Sequence, residues 1–385
     1  MLESRRDFIK WLMVSSLAPS ILANATPSEN EDLVVILNYP GEKFWLFDWA
    51  KYHLTEFSLP LGPLHSALQL SAHEVLFFEY WGHSMLRFNL KTGEKYRVKL
   101  DENSYFSGHG LLSQDGQYLF TVEQGAILHQ PKALSRLVVR DAKTLQALDV
   151  VHSSMTQTIH ELLPGPNNQI LFSLGSMVQP IEMKICFLDW KSGSAKSEIA
   201  KEVTLPGVHA TAAHFLALKD GRFLVFPVMQ SLASREAVEK IVAQEKSILD
   251  RIHQFYQLVK LEPSPMFIIS PDGSVEKLWP ENEGQEFLRS LSGCIMPCSQ
   301  GDLFAVTHPA GHNVTVWNGD RLVKQIGFGR EMPTGIAYSK QKKEMLVTDL
   351  SNGRLRFFSV PDLKEKTGRE MAVNGTSAAH VLHLR

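Results

Sequence analysis

Residues 107–123, SGHGLLSQDGQYLFTVE, decide the fold of this chain. They read as a short apolar strand, a polar turn at 114–116 and a second apolar strand, because Asp-Gly between apolar runs is a strong hairpin signal. The same frame recurs along the sequence, and five copies carry a histidine at the position of His109. Two further copies have Gly293 or Gly335 there. The histidines are His65, His109, His160, His214 and His380.

The spacing of these copies predicts the architecture. They start at positions 65, 109, 160, 214, 293, 335 and 380, so successive starts are 44, 51, 54, 79, 42 and 45 residues apart. A second pair of apolar strands follows the hairpin in most copies. Repeats of about 40 to 50 residues with four strands each are typical of β-propeller blades. We therefore predict an all-β, seven-bladed β-propeller that forms one domain over residues 33–385.

The two ends of the repeat array predict how the ring closes. Only five residues follow His380, too few for a blade, whereas residues 33–58 offer three strands and no inner strand of their own. Joining both ends in one blade completes the ring and leaves no free sheet edge.

The 79-residue spacing points to an insert at about 231–262. Apolar residues recur there at helical spacing with charged residues between them, which predicts a helical insert. Its apolar face is expected to pack on the propeller or, alternatively, to contact a partner or a second copy. Because the insert interrupts the fourth repeat near the histidine-bearing end of the channel, a third alternative is that it forms a lid over that end.

The N-terminal segment carries an export signal. Residues 4–10, SRRDFIK, resemble the twin-arginine motif, and a short apolar stretch leads to Ala23-Asn24-Ala25, an A-x-A cleavage site. We expect a bacterial periplasmic protein that loses about residues 1–25 as a twin-arginine signal peptide, with uncleaved retention at the inner membrane as the alternative. No stable membrane span is expected after cleavage, because the apolar run is short.

Charge and motifs exclude several functional classes. The chain has 39 Lys and Arg against 41 Asp and Glu, and no basic stripe, so nucleic-acid binding is not expected. Three cysteines imply no disulfide framework. No phosphate-binding loop, dinucleotide-binding fingerprint or G-x-S-x-G nucleophile motif is present in the sequence.

The repeat predicts one candidate site. If each histidine begins an inner strand, the next strand returns beside it, so imidazoles and carboxylates should converge at one mouth of the channel. Such a set suits a first-row transition metal, an organic ligand or acid–base chemistry, and a purely structural role stays open. His109, His160 and His214, on consecutive blades, are the expected metal ligands. The other channel-mouth candidates are His65, His380, His308, Glu79, Glu123 and Asp349.

The chain resembles a bacterial family, the one catalogued as domain of unknown function fifteen-thirteen. The matching pieces are His109-Gly110 with the following turn, His160-Glu161-Leu162-Leu163, the segment THPAGHNVTVW at 307–317, and the terminal His380-Val381-Leu382. The resemblance implies a periplasmic seven-bladed propeller, often encoded beside imelysin-like, iron-regulated proteins. It suggests a periplasmic protein partner in an iron-uptake system.

Three hypotheses of function follow. The first is a periplasmic propeller that binds a metal, a metal complex or a protein partner at the histidine-bearing mouth without turnover, with iron or copper as the ion. The second is a propeller enzyme, either a lactonase-like hydrolase or a quinoprotein-like oxidoreductase, with Glu123 or a histidine as general base. The third is an interaction scaffold.

Overall fold

The computed structural model describes residues 32–39, 42–62, 64–79, 82–100, 104–125, 135–154, 157–176, 181–190, 198–229, 263–279, 292–298, 301–360, 362–369, 371–373 and 377–384. In these ranges the chain forms 28 β-strands and two short 3-10 turns, Pro166–Asn168 and Pro309–Gly311, and no α-helix. No helix within them is long and apolar enough to cross a membrane. The predicted signal peptide at 1–25 and helical insert at 231–262 lie outside the described residues.

The strands form seven antiparallel four-stranded sheets, the predicted blades. The first three strands, β1 (Leu33–Tyr39), β2 (Lys43–Asp48) and β3 (His53–Ser58), belong to blade VII, which the C-terminus completes. Blade I contains β4 (Leu64–Ser71), β5 (Glu74–Glu79), β6 (Ser84–Asn89) and β7 (Lys95–Lys99). Blade II contains β8 (Ser104–Leu112), β9 (Tyr118–Gly125), β10 (Ser135–Asp141) and β11 (Ala147–Ser154). Blade III contains β12 (Thr158–Pro164), β13 (Ile170–Gly175), β14 (Lys184–Asp189) and β15 (Glu198–Thr204).

The remaining blades have the same plan. Blade IV contains β16 (Ala210–Ala217), β17 (Phe223–Met229), β18 (Met266–Ile269) and β19 (Val275–Leu278). Blade V contains β20 (Ser292–Cys298), β21 (Gly301–His308), β22 (Asn313–Asn318) and β23 (Arg321–Gly327). Blade VI contains β24 (Pro333–Ser339), β25 (Glu344–Asp349), β26 (Arg354–Ser359) and β27 (Met371–Ala372). The last strand, β28 (Ser377–Leu384), is the inner strand of blade VII.

The ring closes as the sequence predicts. β28 pairs antiparallel with β1, from Leu33 opposite Leu384 to Leu37 opposite His380. The inner strands β4, β8, β12, β16, β20, β24 and β28 contact one another in that order around the ring, and β28 returns to β4. The seven-bladed propeller with a closing blade shared by both chain ends is confirmed.

The core lies between the blades. Seven clusters of buried apolar residues fill the seven interfaces between neighbouring blades. In the interface between blades VII and I, for example, Leu382 and Leu384 of β28 pack with Leu64 and Phe77. Each blade therefore depends on both neighbours for the burial of its two faces.

One detail of the predicted frame is wrong. His65 and His160 lie near the start of β4 and β12, but His109 and His214 lie well inside β8 and β16, which begin at Ser104 and Ala210. The strands extend upstream because apolar residues such as Tyr105 and Phe106 continue the pairing beyond the histidine.

Candidate functional site

Three of the inner strands are irregular at their histidines. Pairing with the second strand skips from Leu64 to Ser66 in β4, from Phe106 to Gly110 in β8 and from Ile159 to Leu162 in β12. The residues His65, His109 and His160 lie in these three irregular positions. Because a β-bulge breaks the strict alternation of a strand and re-aims its side chains, it can turn a side chain toward a neighbouring blade.

The three imidazoles at these bulges meet. One potential ligand atom from each of His65, His109 and His160 lies within 4.8 Å of those from the other two. The Nε2 atoms of His65 and His109 are 2.9 Å apart, so one ring donates a hydrogen bond to the other. Ring centroids are 4.6 Å apart for His65 and His109, 4.7 Å for His109 and His160, and 5.5 Å for His65 and His160. We call these residues the three-histidine cluster.

His214 lies beside this cluster. Its strand pairs regularly at this point, with His214 opposite Phe226. Its ring centroid is 4.9 Å from that of His160 and 6.1 Å from that of His109. The Nδ1 of His214 is 3.2 Å from Oε2 of Glu161, which also accepts a hydrogen bond of 2.9 Å from the Phe215 amide. The structure thus groups His65, rather than His214, with His109 and His160.

Burial disfavours the charged form of two of these histidines, His160 and His214. His65, His109 and His214 are at most 3% exposed, and the Nε2 of His160 is shielded although that residue keeps some exposed surface. Desolvation lowers the pKa of His214 to about 3 and, together with the nearby His214, holds the pKa of His160 well below its ordinary value. Neutral imidazole is the form that binds metal ions.

The Nε2 atoms of His160 and His214 have no hydrogen-bond partner in the described part of the chain. An unpaired buried polar atom costs about 1–3 kcal/mol, so such atoms call for an explanation such as a bound ion.

The bulge in β8 depends on a glycine. Gly108 has φ +99°, and a Cβ at this position would lie 2.1 Å from Cδ2 of His65. Its carbonyl oxygen also accepts a hydrogen bond from the Ser66 hydroxyl, beside His65. The backbone of Gly108 therefore forms the surface on which the His65 ring rests, and only a residue without a side chain allows this approach.

The two other predicted histidines are placed differently. His308 ends β21 and is fully buried, with its Nε2 2.7 Å from the Thr315 hydroxyl, which also accepts a hydrogen bond from Trp317. Burial lowers the pKa of His308 to about 3. His380 lies in β28 opposite Leu37, and its side chain is outside the described part of the structure.

The predicted carboxylates are held by groups other than imidazoles. Glu79 accepts hydrogen bonds of 2.8 Å from the Gly62 and Ser84 amides. Asp349 accepts one of 2.6 Å from the Met332 amide, and desolvation raises its pKa.

Glu123 forms ion pairs with two arginines of β10. Its partners are Arg140, which is equally buried, and Arg136, at 3.2 Å. A carboxylate that is already paired with two guanidinium groups is poorly suited to act as the general base of an enzyme.

Sequence reasoning did not identify Glu161 as a site residue. It follows His160 directly on an inner strand, where an apolar residue is expected, and it is only 4% exposed. A charged residue at a core position is rare unless it is paired, which is the signal that could have revealed it.

Comparison with known proteins supports the fold. No family model matches this sequence, and no curated protein is significantly similar to it. The structure is similar to that of the periplasmic gluconolactonase PpgL of Pseudomonas aeruginosa, with a TM-score of 0.60, 12% identity, and coverage of 92% of this chain and 99% of that chain. A functionally unknown protein from Desulfotomaculum acetoxidans gives a TM-score of 0.59 and 10% identity, with 92% and 100% coverage.

A third similar structure is that of the dihydro-heme d1 dehydrogenase NirN, in complex with DHE. Its TM-score is 0.56, its identity is 12%, and the match covers 94% of this chain and 69% of that chain. At these identities the similarity shows the propeller fold, which supports many unrelated functions.

Proposed function

We propose that this propeller binds a transition-metal ion, alone or within a small complex, through the three-histidine cluster. The observation that carries the proposal is the convergence of one nitrogen from each of His65, His109 and His160 within 4.8 Å in a buried position. Three histidines from three separate blades meet there because each of their strands has a bulge at the histidine.

The distances suit a single ion. Two nitrogens bound to one ion at 2.0–2.1 Å lie about 2.9 Å apart at the 90° angle of a square-planar site and about 3.3 Å apart at the tetrahedral angle. The Nε2 atoms of His65 and His109 are 2.9 Å apart, so at most a few tenths of an ångström of movement would let both bind one ion. The hydrogen bond between the two rings would then be replaced by two metal–nitrogen bonds.

The chemistry of the donors favours copper over iron. All three are imidazoles, which suit copper, zinc, nickel and iron, and affinity among divalent first-row ions rises to a maximum at Cu²⁺. The candidate carboxylates Glu79, Glu123 and Asp349 would be the natural ligands for a harder ion, but they are bound to amides and arginines.

A periplasmic role in metal acquisition extends the proposal. It is supported by the twin-arginine motif at 4–10 and by the resemblance to proteins encoded beside iron-regulated, imelysin-like partners. On this view the protein leaves the cytoplasm folded, loses residues 1–25 and takes part in iron or copper uptake with a periplasmic partner. A protein that binds copper rather than iron would have an accessory part in iron uptake.

The test is metal analysis of the protein purified from the periplasmic fraction, followed by equilibrium dialysis with Cu²⁺ and with Fe²⁺. The wild type should hold about one Cu²⁺ per chain, and the ion should raise its melting temperature, since a ligand at 100 times its Kd stabilises by about 2.7 kcal/mol. The triple variant His65→Ala, His109→Ala, His160→Ala should lose both effects.

A matched control removes three exposed histidines with His53→Ala, His73→Ala and His209→Ala. It should keep the metal content of the wild type. Circular dichroism establishes that each variant is folded, and glutamine replacements at the same three sites serve if the alanine variant is not. Equal metal content in the wild type and the cluster variant would refute the proposal.

An enzyme is the alternative function. A metal held by three protein ligands keeps a fourth position for water, which it can activate for hydrolysis. A lactonase is the example the fold offers, since the gluconolactonase above is a propeller. The alternative requires that this fourth position stay open.

A further inference from the structure

The pair His214 and Glu161 adjoins the three-histidine cluster and has no role in the function proposed above. We propose that His214, held in place by Glu161, is the fourth ligand of the bound ion, which makes the cluster a closed four-nitrogen copper site. This inference rests on the proposed function and specifies its coordination chemistry. It also favours metal binding over metal-dependent hydrolysis as the function.

The hydrogen bond to Glu161 fixes how His214 is protonated. A carboxylate oxygen only accepts hydrogen bonds, so the Nδ1 of the neutral His214 ring must carry the proton. The lone pair is then on Nε2, which is buried and has no hydrogen-bond partner within the described ranges. This is the state in which an imidazole binds a metal through Nε2.

The distances place His214 within reach of the cluster. Two imidazoles on one ion, each bound at 2.0–2.1 Å, have ring centroids about 5.2 Å apart in a tetrahedral site, and about 4.5 Å or 6.4 Å apart as neighbouring or opposite ligands of a square-planar site. The centroid of His214 is 4.9 Å from that of His160 and 6.1 Å from that of His109. Within the three-histidine cluster the ring-centroid distances range from 4.6 to 5.5 Å. His214 thus requires a shift of about one ångström at most relative to these two rings.

Glu161 acts as a positioning residue. Its Oε2 accepts hydrogen bonds from both the ring of His214 and the amide of Phe215, so the carboxylate is anchored to the same strand that carries the ligand. A carboxylate on the far nitrogen of a metal-binding histidine fixes the ring orientation and raises its basicity. Its negative charge also offsets part of the charge of a buried cation.

A closed site has a functional consequence. Four protein nitrogens fill every position of a four-coordinate ion, as in structural metal sites and unlike catalytic ones. The proposal therefore favours a protein that holds a copper ion over one that uses the ion for hydrolysis.

The experiment titrates the full-length protein with Cu²⁺ and measures affinity by competition with a chromophoric chelator. Electron paramagnetic resonance counts the coordinating nitrogens from their superhyperfine splitting. The wild type should show four nitrogens. His214→Ala should show three and bind at least tenfold more weakly, and Glu161→Gln should weaken binding by about 10- to 100-fold.

The control is His209→Ala, which removes an exposed histidine just before the same strand and should match the wild type in both readouts. His214→Gln replaces His214→Ala if the latter does not fold. If the wild type binds Cu²⁺ but the His214 and Glu161 variants keep its affinity and its nitrogen count, the fourth ligand is refuted and the three-histidine site stands. If the wild type binds no Cu²⁺, both proposals fail.

Discussion

At the scale of single residues, this propeller buries histidines in two chemically different environments. The ring of His308 is bonded to a hydroxyl, whereas the Nε2 atoms of His160 and His214 have no hydrogen-bond partner within the described ranges. The Nε2 of His308 has a hydrogen-bond partner within the protein and is not available to a ligand. The Nε2 atoms of His160 and His214 need a partner from outside the chain, which is why we assign the ion to the three-histidine cluster.

Burial of His308 should make stability depend on pH. Its pKa is about 3 in the folded protein and about 6.5 in an unfolded chain. Below pH 6.5 the unfolded state therefore binds a proton that the folded state does not, so stability falls as the pH falls toward 3. Well below pH 6.5 the slope approaches about 1.4 kcal/mol per pH unit, and the loss between pH 7 and pH 5 is about 2 kcal/mol.

Urea unfolding at pH 7 and pH 5 measures this effect. The variant His308→Gln should lose about 2 kcal/mol less between the two pH values than the wild type does, whatever its stability at pH 7. The exposed His73→Gln should keep the wild-type dependence. An unchanged dependence in His308→Gln would show that folding does not lower the pKa of this histidine.

Residue identity alone predicted part of the site. The five repeat histidines pointed to the channel, and four of their side chains are described, all on adjacent inner strands. The role of Glu79, Glu123 and Asp349 was not predictable in the same way, because a carboxylate near a strand end can face the channel or its own blade. The amides and arginines that bind them come from loops and outer strands, whose positions the repeat does not encode.

At the scale of secondary-structure elements, the β-bulges decide which histidines meet. A regular strand would alternate its side chains strictly, and β16, which pairs regularly at His214, keeps that histidine out of the three-histidine cluster. The repeat pattern predicted the strands but not these irregularities, because inner strands such as β4 and β8 are buried on both faces and have no apolar–polar alternation that a bulge would interrupt. For this reason the predicted ligand set included His214 in place of His65.

The variant Gly108→Ala tests the bulge in β8. An added Cβ would lie 2.1 Å from the His65 ring and must displace it, so Cu²⁺ affinity should fall at least tenfold, as for His65→Ala. Gly116→Ala is the matched control, since Gly116 also has a positive φ but a Cβ there would meet nothing within 4 Å. Both variants should lose about 1 kcal/mol of stability from backbone strain. Equal affinities in the two would contradict the role of Gly108.

At the scale of the whole molecule, stability depends on the closing blade. Leu382 and Leu384 of β28 are buried against blade I, and burial of a leucine side chain contributes about 1.5–3 kcal/mol. The ring thus depends on a few residues at one end of the chain for the contact between its first and last blades.

A pair of double variants tests this dependence. Leu382→Asp with Leu384→Asp should reduce the free energy of unfolding by at least about 4 kcal/mol, because both side chains lose burial and two carboxylates enter an apolar interface. Leu148→Asp with Val150→Asp, on the outer strand β11, where these side chains are 55% and 46% exposed, should cost less than about 1 kcal/mol. Denaturant titrations compare the two, and similar losses would show that closure contributes no special stability.

Because the last strand pairs with the first, the ring can close only late in synthesis. While the chain emerges from the ribosome, β1 is made first and has no inner neighbour until β28 follows, more than 330 residues later. During that interval β1 presents an unpaired edge, which favours aggregation and proteolysis. A chain that stops before β28 leaves this edge of β1 unpaired, so pairing with β28 is the step that protects it.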